Sequence, residues 1–179
     1  MAKKVIILST SPRRNSNSHA LAEAFSRGAR DAGNTAEIIS LIGKQIGFCR
    51  GCFACQKTGR CVIQDDAVDI EQKVLEADVV VWATPIYYYE MSGQMKVLID
   101  RLNPLYPKDY RFRDVYLLSA AAEDEPYVPE RATEGTRGWT DCFEKAQFKG
   151  SVFCGGVNDA GDIRGKEQLK AAYDMGYAV

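Results

Sequence analysis

The fold is decided around the run Val79-Val80-Val81-Trp82-Ala83, the most strand-like stretch of the chain. This run is apolar on both faces, which is typical of a strand buried inside a parallel sheet. The run Lys4–Ser9 has the same character, and a polar loop separates it from a helical pattern that begins at Ser18. The sequence therefore predicts the strand, loop and helix order from which α/β domains are built.

The same alternation continues along the rest of the chain. Further strands are predicted at 36–41, 115–122 and 151–155, and further helices near 65–75, 94–102, 139–148 and 166–175. Parallel strands need crossover connections, which helices usually supply. We therefore predict an α/β fold with a flavodoxin-like, doubly wound, five-stranded parallel sheet. Residues 1–179 are expected to form a single domain with a Cys-rich insertion at 46–63.

The composition excludes several classes of function. The 179 residues carry 23 Lys and Arg against 24 Asp and Glu, so the net charge of −1 gives no broad footprint for nucleic acid or a membrane surface. No apolar run approaches the roughly 18 residues that cross a bilayer. We expect a cytoplasmic protein whose six cysteines are thiols or metal ligands, because disulfides are rare in that compartment.

The loop Ser9–Ser18 follows the first predicted strand and carries hydroxyls, amides and two arginines directly ahead of a helix. A helix N-terminus offers unpaired N–H groups and the positive end of the helix dipole, both of which favour a phosphate. The loop therefore predicts a phosphate site, and a plain polar cap loop is the alternative. Neither G-x-G-x-x-G nor G-x-x-x-x-G-K-[ST] occurs, which argues against a Rossmann dinucleotide site and against an ATP or GTP machine.

The loop Thr84–Ser92 follows the most buried predicted strand and contains three consecutive tyrosines. Aromatic rings at the end of a sheet can simply cap the core, but three in succession cannot all face inward. At least one is expected at a cleft, where it could flank a flat apolar ligand such as an isoalloxazine ring.

Four cysteines give the most informative spacing in the chain, C-x2-C-x2-C-x5-C at Cys49, Cys52, Cys55 and Cys61. Three thiolates in a compact run with a fourth nearby can wrap an iron–sulfur cubane, as similar runs do in ferredoxins. Structural zinc usually uses two C-x-x-C pairs separated by a longer segment, and thiol exchange needs only one such pair. Cluster, zinc and redox-active thiols all stay open on spacing alone.

Four motifs together resemble one known family: Ser11-Pro12-Arg13, Ser16-Asn17-Ser18, Ala83–Tyr87 and Gln94–Arg101. In them the chain is similar to the NADPH-dependent FMN reductase and multimeric flavodoxin family, and it also resembles the iron–sulfur flavoprotein branch. The resemblance implies FMN. For the cysteine run, the iron–sulfur flavoproteins imply a [4Fe-4S] cluster on the four cysteines, whereas FMN reductases with similar runs imply empty thiols. The implied phosphate ligands are Ser11, Arg13, Ser16, Asn17 and Ser18. The implied ring contacts are Pro85, Ile86, Tyr87, Tyr88, Glu90, Met91 and Ser92, with Ser119 and Ala120 from a third loop that lacks the glycines of many relatives.

The function that follows from this resemblance is an FMN-dependent oxidoreductase. It would take reducing equivalents from NAD(P)H through FMN to a quinone, a flavin or another acceptor. One alternative is an electron carrier that holds both FMN and a [4Fe-4S] cluster and serves a redox protein. A second alternative is a non-catalytic thiol redox sensor. The resemblance also implies a homodimer or homotetramer.

Overall fold

The computed structural model describes all 179 residues and contains six strands and six helices. The strands are β1 (Lys4–Ser9), β2 (Thr35–Ser40), β3 (Val79–Tyr87), β4 (Glu90–Met91), β5 (Asp114–Ala120) and β6 (Gln147–Cys154). The helices are α1 (Asn17–Asp31), α2 (Ala54–Thr58), α3 (Asp66–Leu75), α4 (Gly93–Arg101), α5 (Glu130–Asp141) and α6 (Glu167–Tyr177). None of these helices has the length and apolarity that crossing a bilayer requires.

Five of the strands form one parallel sheet in the order β2-β1-β3-β5-β6. This is the strand order of the flavodoxin type, and it confirms the predicted doubly wound fold. The order reverses between β1 and β3, so the crevice at their carboxyl ends is where such sheets bind ligands.

The two faces of the sheet carry separate hydrophobic cores, which explains why β3 is apolar throughout. Val80 and Trp82 pack into one core, and Val79 and Val81 pack into the other. Side chains on a strand alternate between faces, so a strand covered on both sides must be apolar at every position. The pattern that decides the fold thus reflects burial on both faces.

Helices α1 and α6 cross unusually closely on one face of the sheet. A Cβ atom on Gly28 would lie 2.0 Å from the Tyr173 carbonyl oxygen, and one on Gly176 would lie 2.1 Å from that of Phe25. Real Cβ atoms do not approach backbone this closely, so the crossing requires glycine on both helices. The crossing fixes α1, whose N-terminus faces the ligand crevice.

The short helix α2 was not predicted, and β6 begins four residues before the predicted strand. Two larger departures concern α5 and β4. The helix predicted at 139–148 is wrong: α5 covers Glu130–Asp141, and Gln147 already belongs to β6. Trp139 and Phe143 have helical spacing and both pack into the core, but the chain between them leaves the helix in a turn. The second departure is β4, which pairs antiparallel with the end of β3 and adds a short hairpin to the five predicted strands.

Candidate functional site

A pocket of about 180 Å³ opens at the carboxyl ends of β1, β3 and β5, where the topology places a ligand. Loops after four strands line it, and none of the lining side chains is acidic. The lining residues are Ser11, Arg13, Ser16, Asn17, Ser18, Pro85, Ile86, Tyr87, Ala120, Ala121, Ala122, Val157, Asn158 and Ala160. The structure therefore brings together all five predicted phosphate residues and four of the nine residues predicted for the ring.

The N-terminus of α1 supplies free backbone donors to this pocket. The Ser16 hydroxyl caps the helix by accepting a hydrogen bond from the His19 backbone N–H. The N–H groups of Asn17 and Ser18 lie in the first turn of α1, where no helical carbonyl precedes them as an acceptor. They make no other hydrogen bond within the chain. An anion at this position would meet two unpaired N–H groups, the Ser16 and Ser18 hydroxyls and the positive end of the α1 dipole.

Two of the predicted phosphate residues also hold the far wall of the pocket. Arg13 donates from Nη1 to the Asn158 carbonyl oxygen at 3.0 Å. The Asn17 amide donates to the Asp159 carbonyl oxygen at 3.0 Å and accepts from the Ile163 N–H at 3.3 Å. The Asn17 side chain is thus occupied by the protein, and its backbone N–H is what it can offer to an anion.

Sequence reasoning missed the loop after β6, which contributes Val157, Asn158 and Ala160 to the pocket. A signal for it was available, because the rule that ligands lie beyond the carboxyl ends of strands applies to β6 as well. The sequence Gly155-Gly156 immediately follows that strand, and Gly156 has a φ of 65°. That left-handed conformation favours glycine and turns the chain back toward α1.

The tyrosine loop divides between the pocket, the surface and the core. Pro85, Ile86 and Tyr87 line the pocket, whereas Tyr88 is almost fully exposed. Glu90, Met91 and Ser92 do not line it. Of the three, Met91 packs into the core, and Ser92 caps α4 with its hydroxyl and bonds Thr10 and Thr84.

The third predicted loop contributes small side chains. Ala120 lines the pocket together with Ala121 and Ala122, so this wall is smooth and apolar. Ser119 is fully buried within β5, and its hydroxyl has no hydrogen-bond partner. Small apolar residues leave room for a flat ligand to approach the backbone here.

The Glu123 carboxylate binds Tyr127, whose ring packs beside that of Tyr89. The Tyr127 hydroxyl donates to Glu123 Oε1 at 2.7 Å, and the rings of Tyr127 and Tyr89 lie 5.9 Å apart. The hydrogen bond to Glu123 raises the pKa of Tyr127 to about 12. The Glu123 carboxylate also raises the pKa of Tyr89. Tyr88 and Tyr89 turn the hairpin with φ values of 50° and 66°, a left-handed conformation that is uncommon outside glycine.

A second pocket, of about 570 Å³, collects the cysteine run. Cys49, Cys52, Cys55 and Cys61 all line it, and Cys142 at the end of α5 lines it as well. The thiols are those of free cysteines, and no three His, Cys, Asp or Glu side chains stand close enough to hold a single metal ion. The sequence segment that brings them together has no regular structure apart from the short helix α2.

The buried Arg101 closes the segment that carries these cysteines. Its guanidinium bonds both carboxylate oxygens of Asp65, at 2.6 and 2.8 Å, and the carbonyl oxygens of Gly47 and Ile63. Burial opposes the charge of Arg101, but the hydrogen bond that Arg101 donates to Asp65 and the negative charge of that carboxylate outweigh it and raise the pKa of Arg101. The guanidinium therefore remains charged in its buried position.

One further side chain from the same end of α4 contacts a cysteine. Asn103 donates from Nδ2 to Cys55 Sγ at 3.1 Å, and Cys55 is the most buried thiol of the run. Asn103 and Arg101 both line the pocket of the four cysteines. The sequence predicted no role for Asn103 or Arg101 beside the cysteines, because their nearness to the cysteines arises only when the chain folds.

Comparison with known proteins gives a family match over most of the chain. The profile of the NADPH-dependent FMN reductase family matches residues 3–139, which include the phosphate loop, the tyrosine loop and the cysteine run. The match ends within α5, before the 157–160 loop that completes the first pocket.

Individual relatives are similar over a shorter stretch. An iron–sulfur flavoprotein from Methanocaldococcus jannaschii is 38% identical over 102 residues, which cover 57% of this chain and 53% of the relative. A Bacillus subtilis protein named as a candidate NAD(P)H-dependent FMN-containing oxidoreductase is 40% identical over 119 residues, covering 62% of this chain and 65% of the relative. The chain spans about half the length of the first curated relatives it matches.

Solved structures extend the match in fold to the whole chain. An azoreductase from Bacillus anthracis aligns over 100% of both chains with a TM-score of 0.74 at 19% sequence identity. At that identity the similarity shows the fold alone, and it supports the flavodoxin-like arrangement of all five parallel strands.

Proposed function

The chain belongs to the NADPH-dependent FMN reductase family, and from that premise we propose that it is an NAD(P)H-dependent FMN oxidoreductase that reduces a small-molecule acceptor such as a quinone or a flavin. One observation carries this proposal. At the switch point of the sheet, the pocket combines serine hydroxyls, Arg13 and the N-terminus of α1, and it contains no acidic side chain.

The residues of that pocket fit the phosphate of FMN. A phosphate monoester carries close to two negative charges and accepts several hydrogen bonds, so it needs dense donors and positive potential. Ser11, Ser16 and Ser18 supply hydroxyls, and Arg13 supplies a guanidinium whose Nη2 and Nε remain free. The absence of a carboxylate matters because one negative side chain here would repel the phosphate directly.

The position of the ring follows from the size and lining of the pocket. Its volume of about 180 Å³ is below the roughly 300–1,000 Å³ of pockets that hold a whole ligand. The phosphate and the adjoining chain would occupy the pocket, while the ring would lie at its mouth between Tyr87 and the alanines of the third loop. Bound FMN would supply the hydride chemistry, and these residues would orient it and leave one face open to NAD(P)H.

The test is the absorption spectrum of the protein purified without oxygen, with and without added FMN. We expect one flavin per chain, bleached rapidly by NADPH or NADH and restored by a quinone. The rates at which NADPH and NADH bleach the flavin show which nucleotide is the better reductant. Failure to bind FMN even when it is supplied would overturn the proposal.

A second candidate function is electron transfer through FMN and a [4Fe-4S] cluster, and the cysteine pocket favours it. All four cysteines of the run line one pocket, although only Cys55, in the short helix α2, lies in regular secondary structure. Four thiols are the donor set that such a cluster takes, so the side chains fit the group. Iron and acid-labile sulfide, measured beside flavin in the same anaerobic sample, test this candidate; protein that binds FMN but retains neither after reconstitution contradicts it.

We further infer that residues 1–179 act as one FMN-binding domain with a Cys-rich insertion at 46–63, in the cytoplasm, as a homodimer or homotetramer. Exposed aromatic side chains support the assembly, because Phe48, Phe53 and Tyr88 each leave a large apolar side chain uncovered. Light scattering of the FMN-loaded protein measures the oligomer, and cell fractionation measures the location. A strictly monomeric holoprotein would contradict the assembly.

A further inference from the structure

The end of α4 forms one wall of the cysteine pocket, and its side chains engage the cysteine loop, defined as residues 47–65. Arg101 bonds the Gly47 carbonyl oxygen at one end of this loop and Asp65 at the other. Cys49 lies just inside the first anchor and Cys61 just inside the second. A single buried side chain thus holds together the two ends of the segment that carries all four thiols.

The bonds to Asp65, Gly47 and Ile63 do not use all the donors of Arg101. Its side chain is fully buried, yet Nε has no hydrogen-bond partner in the chain. A buried, unpaired N–H on a charged group costs free energy, so it points to an acceptor that the chain alone does not supply. Cys61 and Arg101 line the same pocket.

Asn103 gives an independent observation of the same kind. It lies two residues beyond Arg101, in the short 3-10 turn that follows α4, and its amide donates to Cys55 Sγ at 3.1 Å. This segment therefore supplies one donor that contacts a cysteine sulfur and one buried donor that has no partner, and both residues line the pocket of the four cysteines. Donors arranged in this way favour negative charge on the sulfur atoms that they contact.

We propose that Arg101 and Asn103 are positioning residues of an iron–sulfur site, holding the cysteine loop closed and donating hydrogen bonds to the sulfur atoms on the Cys55 and Cys61 side. This inference rests on the second proposed function, the binding of a [4Fe-4S] cluster by the four cysteines. Hydrogen bonds to the sulfurs of a cluster stabilise its more negative, reduced state and raise its reduction potential. Removing a donor should lower that potential while the four thiol ligands remain.

The first test compares Asn103→Leu with Gln56→Leu in the cluster-loaded protein. Leu has the same branching at Cγ as Asn and removes the donor, although it is larger. Gln56 lines the same pocket, but its side chain makes no hydrogen bond to a sulfur. The midpoint potential is measured by a redox titration followed by electron paramagnetic resonance. We expect Asn103→Leu to lower the reduction equilibrium constant about tenfold, or about 59 mV for one electron, and Gln56→Leu to leave it at the wild-type value.

The second test uses Arg101→Lys, which keeps the positive charge but loses Nε and the planar fork. We expect iron to pass to a chelator several-fold faster than from wild type, while FMN content and the circular dichroism spectrum stay unchanged. If this variant does not fold, the Asn103 comparison alone decides. Equal midpoint potentials in Asn103→Leu, Gln56→Leu and the wild type would overturn this inference but leave the proposed cluster binding intact. A wild-type chain that retains no iron and sulfide after reconstitution would overturn both.

Discussion

Arg101 and Asp65 form a two-pronged ion pair, with Nη1 2.6 Å from Oδ2 and Nη2 2.8 Å from Oδ1. The Arg101 side chain is fully buried and that of Asp65 is 12% exposed. The carboxylate also accepts the backbone N–H groups of Gly47 and Ala67, so Asp65 caps α3 as well as binding α4. The pair therefore joins two helices and the cysteine loop in one network.

Breaking this pair should destabilise the fold strongly. Asp65→Asn leaves a buried guanidinium without its counter-charge, and the loss of one partner of a buried pair costs about 3–5 kcal/mol. The exposed pair of Arg111 with Asp78 provides the control, because Arg111→Gln should cost less than about 1 kcal/mol. Urea denaturation gives both free energies of unfolding. Equal losses in the two variants would show that burial of the Arg101 pair contributes nothing.

The same carboxylate should make the fold sensitive to acid. Burial works against the Asp65 charge, but the hydrogen bonds from Arg101, Gly47 and Ala67 outweigh it, so the pKa of Asp65 is lowered below its ordinary value of 3.8. A carboxyl whose pKa is depressed in the folded state stabilises the fold above the unfolded pKa. That stabilisation is lost as the pH falls through the folded pKa. The free energy of unfolding should therefore decline below about pH 4, and the decline should be smaller in Asp65→Asn.

The crossing of α1 and α6 should tolerate no side chain at Gly28. In Gly28→Ala the new methyl group would meet the Tyr173 carbonyl oxygen at 2.0 Å, and the required shift of backbone should cost about 1–3 kcal/mol. The control is Gly138→Ala in α5, where nothing lies within 4 Å and Ala should stabilise the helix by about 1 kcal/mol. Thermal unfolding measures both changes, and a Gly28→Ala protein as stable as the wild type would contradict the close crossing.

The sheet could be predicted from the sequence because its signal is local. Each strand buried on both faces is a short apolar run, as Lys4–Ser9 and the start of β3 show, and the rule for switch points then places the ligand loops. Helix α5 could not be placed correctly, because its apolar residues continue at helical spacing past the residue where it ends. The last of them, Phe143, packs into the core from a turn.

The candidate site could be predicted from the sequence only in part, because several of its residues come together only in the folded chain. A residue such as Arg13 is marked by its loop, whereas Arg101 acquires its place only when residues 47 and 65 fold back onto α4. The loop after β6 contacts Arg13 through the Asn158 carbonyl oxygen, a backbone contact that the amino-acid composition of the loop does not predict. Likewise, Ser92 lies in the predicted ring loop but is used to cap α4 and hold Thr84.

Arg13 should contribute to FMN binding in a way that its neighbour Arg14 does not. Arg13 lines the pocket beside α1, whereas Arg14 lies outside it. Because hydrogen bonds to charged groups contribute about 1.5–3 kcal/mol, Arg13→Ala should weaken FMN binding by about tenfold or more. Arg14→Ala keeps the loop and changes the net charge equally, so it serves as the control. Fluorescence titration of the flavin measures both, and equal affinities would place the phosphate elsewhere.

The Tyr127 titration tests the arrangement of the tyrosine hairpin. Ionising Tyr127 would place a negative charge beside the Glu123 carboxylate and break the 2.7 Å hydrogen bond between them, and this is why the pKa of Tyr127 is raised to about 12. In Glu123→Gln we expect Tyr127 to ionise near the ordinary value of about 10, and the pKa of Tyr89 to fall with it, because its shift has the same cause. Ultraviolet absorbance follows tyrosinate formation as the pH rises.

Glu125→Gln is the matched control, since Glu125 raises the pKa of Tyr127 only through its charge and last among the causes. It should leave the late-ionising tyrosine in place. Because Tyr89 adjoins Tyr88 at the tip of the hairpin, release of the Glu123 contact should also loosen the loop that bears Tyr87 at the mouth of the FMN pocket. We therefore expect weaker FMN binding in Glu123→Gln than in Glu125→Gln. Identical titration curves for the two variants would mean that Glu123 does not hold the tyrosines together in solution.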